Sequence, residues 1–188
     1  MKKLSITILS LTLLLTSCSK ESDDMATPSS SNGIEKSQVA RPRPFSAILT
    51  ATADPNSPPT PCSGDVPFAA PDFFLTGDVS HLGGINPQLS SLHHTACDVN
   101  VSTMLLTTSV SVNMVAANGD ALHATGDDVV NVAALLTQTG TTGSITGTWT
   151  INGGTGRFAN ATGSFTINGT VDFVTNSFTC ECAGTITY

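Results

Sequence analysis

From Ile145 to the C-terminus the chain alternates with period two. Ile145, Gly147, Trp149 and Ile151 share one parity, with Thr146, Thr148 and Thr150 between them. Phe165, Ile167, Gly169, Val171 and Phe173 repeat the pattern. Phe178, Cys180, Cys182, Gly184, Ile186 and Tyr188 then oppose Thr179, Glu181, Thr185 and Thr187. A helix would need apolar positions at intervals of three and four; alternation puts one set of side chains on one face of a strand. Upstream, Val110, Val112 and Met114 alternate with Ser109, Ser111 and Asn113, and Leu122 and Ala124 resume the pattern beyond Asn118-Gly119. That dipeptide predicts a hairpin with a type I′ turn. Weaker strand candidates are Phe45–Ala53, Phe73–Ser80, Cys97–Thr103 and Val129–Leu136. About eight short strands with one apolar face must bury that face. The expected fold is all-β, a single antiparallel β-barrel of about eight strands, with a two-sheet β-sandwich as the alternative.

The N-terminus reads differently. Met1-Lys2-Lys3 is positive, Leu4 to Leu15 is apolar apart from Ser and Thr, and Leu15-Thr16-Ser17-Cys18 follows. Twelve helical residues reach only about 18 Å, short of the ~30 Å hydrocarbon core, so a signal peptide fits better than a membrane span. The last four residues resemble the lipobox of bacterial lipoproteins. That resemblance implies cleavage before Cys18 and lipidation of its thiol, with stable anchoring by more than one acyl chain. Ser19-Lys20-Glu21-Ser22-Asp23-Asp24 resembles the acidic export signal of Bacteroidetes-type surface lipoproteins; a plain solvated tether is the other reading. The expected organisation is a lipoprotein signal peptide over 1–17, a lipidated Cys and flexible tether over 18–44, and the barrel domain over 45–188. The expected location is the bacterial outer membrane or cell surface, with the membrane contacted through the N-terminal lipid.

Charge excludes one class of partner. From Phe45 onward there is one basic residue, Arg157, against ten acidic ones, a formal net of −9. Nucleic acid is bound by clustered cations that displace counterions, so no nucleic-acid partner is expected. Four cysteines lie beyond Cys18: Cys62, Cys97, Cys180 and Cys182. An even number in a small exported domain predicts disulfides. Thiols at i and i+2 of a strand sit ~7 Å apart at Cα, which disfavours Cys180 with Cys182 and predicts that Cys62 and Cys97 each bridge to one of that pair. Zinc is the rival reading, weakened by the lack of C-x-x-C spacing.

Ile151-Asn152-Gly153-Gly154-Thr155-Gly156-Arg157-Phe158-Ala159-Asn160-Ala161-Thr162-Gly163 resembles the G-G-T-G-[RK]-F-x-x-A-x-G signature of the allene oxide cyclase and dirigent barrel superfamily. Ala117-Asn118-Gly119-Asp120 and the closing Gly184-Thr185-Ile186-Thr187-Tyr188 are similar to features of its bacterial lipoprotein branch. The resemblance covers roughly residues 100 to 188 and implies an eight-stranded antiparallel barrel with a small interior. Residues 45 to 99 carry no such resemblance, and the residues that plant members use for chemistry do not map onto this chain. Glycines at 153, 154 and 156 suit a turn needing positive φ, and Arg157 is expected to pair with a carboxylate. A ligand contact at Gly153, Gly154, Thr155, Gly156, Arg157 and Phe158, with an anion on the exposed amides, is the functional reading of the turn. Gly154-x-Gly156-x-x-Ala159 also mimics a dinucleotide fingerprint, but no helix or βαβ unit surrounds it.

Other chemistry is sparse. His93 and His94 should point to opposite faces; His81 or His94 with Asp78 or Asp98 is the nearest approach to a metal site. Asp127, Asp128 and Asp120 lack calcium-loop spacing and read as turn carboxylates. There is no G-x-S-x-G elbow. No catalytic residue, metal or cofactor is expected. Three functions remain: a non-catalytic envelope barrel binding a small apolar or sugar-like ligand or a partner protein; an isomerase or cyclase working by shaping a ligand; and a structural or adhesive protein with a filled core. An eight-stranded interior holds little more than side chains or one small ligand, and with few aromatics and no evident acid–base pair the first and third outrank the second.

Overall fold

The computed structural model describes residues 41–64 and 66–188. The predicted signal peptide, the Cys18 lipidation site and the tether up to residue 40 lie outside the described residues.

Eight strands form the body: β1 (Arg43–Ala53), β2 (Phe73–Val79), β3 (Ser91–Asn100), β4 (Leu105–Val115), β5 (Ala121–Asn131), β6 (Thr142–Gly154), β7 (Thr162–Asp172) and β8 (Ser177–Thr187). Each pairs antiparallel with its sequence neighbours, and β8 pairs with β1, so the sheet closes into a ring. The β2–β3 seam is the shortest, Phe73 opposite Leu92 and Phe74 opposite Ser91. Closure decides for the barrel over the sandwich. It is the cheapest way to bury one face of every strand while leaving few open edges.

The predicted parity holds. Ile145, Trp149, Ile151, Phe165, Ile167, Phe178, Cys180, Cys182 and Ile186 are all buried, and the intervening threonines of β6 and β7 face solvent. The interior is filled by setting large residues against glycines. Trp149 stands across from Gly126 and Phe165 across from Gly184. A Cβ on Gly126 would overlap the Trp149 side chain, and one on Gly184 would overlap Phe165. Trp149 meets Phe165 edge-on at 5.6 Å between ring centres, and Phe45 stacks on Phe165 at 4.5 Å.

Several local expectations change. The Asn118-Gly119 hairpin forms, but only Gly119 has positive φ, and its N–H bonds the Ala116 carbonyl at 3.0 Å. The turn is therefore a type I turn followed by a glycine bulge, not type I′. The strand expected over Cys97–Thr103 starts earlier, at Ser91, and stops at Asn100. The strand expected over Val129–Leu136 ends at Asn131, because Ala133–Leu136 forms one helical turn, α1. Ala and Leu are strong helix formers, and the Asn131 side chain accepts the Ala133 N–H at 2.9 Å. A bulge between His94 and Ala96 resets the inward parity of β3, so Leu92 and His94 face in before it and Cys97 and Val99 after it.

The cysteine pairing also differs. Cys62 is bonded to Cys97, and Cys180 and Cys182 are free and buried. The bridges expected to the terminal pair do not form because Cys180 and Cys182 lie on β8, which β1 and β2 separate from Cys97 on β3. Cys62 instead lies beside β3, on the segment that joins β1 to β2 and pairs along its edge. That segment is fastened along β3 by the disulfide, by Thr60 Oγ1 donating to the His94 carbonyl (2.8 Å) and by Ser63 and Gly64 pairing parallel with Asp98 and Val99. The disulfide closes a loop of sequence separation 35, which the chain-entropy relation values at about 3–4 kcal/mol. We therefore expect Cys62→Ser/Cys97→Ser to lose roughly that much in denaturant unfolding. Alkylation of the native wild-type chain should label neither Cys180 nor Cys182 until it is unfolded.

Candidate functional site

The two ends of the ring differ. At one end β6 finishes and β7 begins, and here the Gly-Gly-Thr-Gly turn lies. Gly153 and Gly156 have positive φ, a short 3₁₀ turn spans Gly156–Phe158, and the Phe158 ring is 0 % exposed. The turn is tied to the β4–β5 hairpin: Thr155 Oγ1 accepts the Ala121 N–H at 3.0 Å, and Arg157 Nε lies 3.3 Å from Asp120 Oδ2. Arg157 also donates to the His81 carbonyl. The carboxylate partner expected for Arg157 is thus Asp120. Phe158 closes this end of the interior. Phe158→Ala should cost about 3–5 kcal/mol in unfolding, as buried aromatic deletions do, whereas Arg157→Ala should cost about 1 kcal/mol or less because its ion pair is half exposed.

The opposite end, where β5 and β7 finish and β6 and β8 begin, holds a half-enclosed cavity of about 80 Å³. Its walls are mainly apolar: Phe73, Leu106, Val130, Ile145 and Phe178, with Phe68 to Pro71 of the β1–β2 segment on one side. Three polar side chains face it from within. Asp128 (2 % exposed) and Thr108 (4 %) are opposite each other on β5 and β4, and His94 lies on β3.

Asp128 shares parity with Leu122, Ala124 and Val130, so β5 turns its carboxyl inward. Space comes from Gly147 across the β5–β6 pair, where a Cβ would collide with Asp128 Oδ1. Trp149 Nε1 donates to Oδ1 at 2.7 Å. Neither Oδ2 nor the Thr108 hydroxyl is fully enclosed; among the described residues the fully buried side-chain polar atom without a partner is Asn113 Oδ1. Burial pushes the Asp128 carboxyl up to about 7, against the Trp149 hydrogen bond and with help from neighbouring Asp127. The titratable groups around it are Asp127 on its own strand, Cys182 on β8 and His94 on β3. Cys182 stays a thiol, held by its hydrogen bond with Cys180 and then by burial. His94 donates Nδ1–H to the Pro71 carbonyl at 2.8 Å, leaving Nε2 as an acceptor, and burial lowers its pKa.

Asp72 holds the wall beside His94. It accepts the Ser57 hydroxyl (2.6 Å), His93 Nδ1 (2.8 Å) and the His94 backbone N–H (2.9 Å). Burial would raise its pKa, but these bonds outweigh it and keep the carboxyl below its ordinary value. On the rim, the backbone N–H groups of Thr175 and Val174 lower Asp172.

The sequence-nominated residues are not brought together here. The motif turn lies at the far end, and His81, bonded through Nε2 to the Pro44 carbonyl, lies there too, away from His94. Asp127 faces outward to Ser109, Asp128 inward, and Asp120 belongs to Arg157. Asp128 is thus not the turn carboxylate that its spacing suggests; the parity it shares with Val130 is the sequence signal for its inward position.

No family model and no curated protein matches the chain. Among solved structures, a pterocarpan synthase dirigent protein is similar to it. Identity is 17%, over 79% of this chain and 86% of that one, with a TM-score of 0.41.

A buried acid with a raised pKa links stability to pH. Its proton is held in the folded state but released by the unfolded chain between about pH 4 and pH 7. Asp128 therefore stabilises most below about pH 4, and its contribution falls by roughly 4 kcal/mol as pH rises to 7. Unfolding free energy of the wild type, measured against Asp128→Asn across that window, should decline by this order and be flat above it. A constant difference would refute the buried titration.

Proposed function

We propose that this chain is an exported, lipid-anchored envelope barrel that binds a small, mainly apolar ligand in the cavity at the open end of the ring. One observation carries the reading. Two side chains more than nine-tenths buried, Asp128 and Thr108, line a mainly apolar cavity together with His94. A mainly apolar cavity with a few polar side chains in its wall is the ordinary make-up of a small-molecule site. The signal-peptide pattern and Cys18 support export and anchoring, and the Cys62–Cys97 disulfide fits an oxidising compartment.

Size constrains the ligand. A cavity of about 150 Å³ accepts benzene, and this one is about half that. It takes a group of a few heavy atoms unless the β1–β2 segment gives way. A sugar ring would need that movement.

Isomerisation of a bound ligand is the second reading. What favours it is Asp128, whose carboxyl near 7 suits proton exchange at neutral pH, in a cavity that a neutral His94 also lines.

Native mass spectrometry of protein extracted in detergent from its own host tests the proposal. The expected species starts at Cys18, carries acyl groups and retains a small molecule that leaves on activation. Thr108→Phe, which fills the cavity, should abolish retention. A chain that starts elsewhere overturns the anchor, and one that retains nothing overturns the binding site. Conversion of the released molecule to an isomer of equal mass on incubation would favour catalysis.

A further inference from the structure

We propose that the ligand of this cavity is a small amphiphilic amine, with its protonated nitrogen against Asp128 and its apolar body against the phenylalanine walls. The inference rests on the cavity being a ligand site and adds the charge of what enters it.

The donor and acceptor inventory points this way. Trp149 satisfies only Oδ1 of Asp128. The polar side chains lining the cavity are Asp128, Thr108, His94, Asp172 and Asn176. Each of them can accept, and none is a cation, with His94 Nδ1 already donating to the Pro71 carbonyl. An ammonium group has three donors and no acceptor. A carboxylate or phosphate ligand brings only acceptors and a like charge.

Charge placement agrees. No Lys or Arg is among the described residues lining the cavity, while Asp172 stands on its rim with its carboxyl held ionised by two backbone N–H groups. Arg43 and Arg157 both lie at the opposite end, engaged with Tyr188 and Asp120. An anion would meet the ionised Asp172 on the rim and no cation to offset it. The excess of acidic residues from Phe45 onward adds a field that draws cations toward the ring.

The walls complete the match. Phe73, Phe173 and Phe178 present aromatic rings to the cavity. Such rings attract a desolvated cation and shelter an alkyl chain. The carboxylate offsets the desolvation of the ammonium, which an apolar cavity alone would not.

A matched series tests this on the folded, disulfide-bonded protein: n-butylamine, 1-butanol and butyrate. The fluorescence of Trp149, the one tryptophan, reports occupancy at its Asp128 hydrogen bond. Butylamine should bind roughly tenfold tighter than 1-butanol or better, and butyrate should not bind. Asp128→Asn should bring amine and alcohol within about twofold of each other. As a readout on the wild type, calorimetry near pH 6 in buffers of different ionisation enthalpy should show about one proton released per butylamine bound, and none for 1-butanol. Asp127, Cys182, His94 and Asp172 are the other titratable groups near the ligand. Asp127→Asn, which removes the smaller of the two influences raising Asp128, should reduce that proton release only partly, whereas Asp128→Asn should abolish it. Equal or tighter binding of 1-butanol, or no proton release, overturns the amine assignment while the small-ligand reading stands. Absence of binding by all three overturns both.

Discussion

The hydrogen bond from Trp149 to Asp128 joins the two halves of the interior. On one side of it the indole packs against Phe165 and fills the ring toward Phe158; on the other the carboxyl opens onto a cavity. An indole N–H buried in an apolar ring must find an acceptor, and a buried carboxyl must find a donor. Each answers the other, which is why a charged residue type can occupy a position that parity assigns to the core. The arrangement leaves one carboxyl oxygen over, and that remainder is what makes the cavity chemically distinct from a packing void.

Volume explains where the void lies. Eight strands give an interior just wide enough for side chains to fill it. In the row that runs Phe45, Gly184, Phe165, Trp149, Gly126 and Val110, three aromatic rings use that width, with glycines making room for them. The adjoining row runs Cys182, Ile167, Gly147, Asp128 and Thr108. Small and polar residues there cannot fill the same width. The disulfide then matters to the cavity as well as to stability, since Cys62 holds the segment whose residues 68–71 form one of its walls.

Much of this was legible in the residues. Alternation in β4 to β8 determined strand identity and facing, because a buried face tolerates only one register. What it could not show was set by tertiary geometry. The partner of Cys62 depends on where the β1–β2 segment lies, and nothing in spacing reports that. The strand-to-helix change after Asn131 is a contest between β-propensity and a side chain that caps Ala133. His94 faces the cavity only because a bulge follows it. Asp128 is the exception: its parity is readable, but an acid among apolar positions looks like half of an exposed Asp127-Asp128 pair. The two neighbours in fact belong to opposite faces of one strand.

The position of the recognisable motif carries a further lesson. Gly153 to Phe158 is the most distinctive stretch of the chain, yet its glycines serve a close approach of backbones and its phenylalanine seals the ring. A turn that plugs a barrel is constrained at nearly every atom: φ at Gly153 and Gly156, the donor at Ala121, the acid at Asp120. Such constraint produces a strong sequence pattern without any ligand. The open end has the reverse character. Its wall residues need only be apolar and of suitable size, and its polar atoms come from three separate strands, so no contiguous pattern marks it. In a ring of this kind distinctiveness of sequence follows the end that must close, and chemistry collects at the end that stays open.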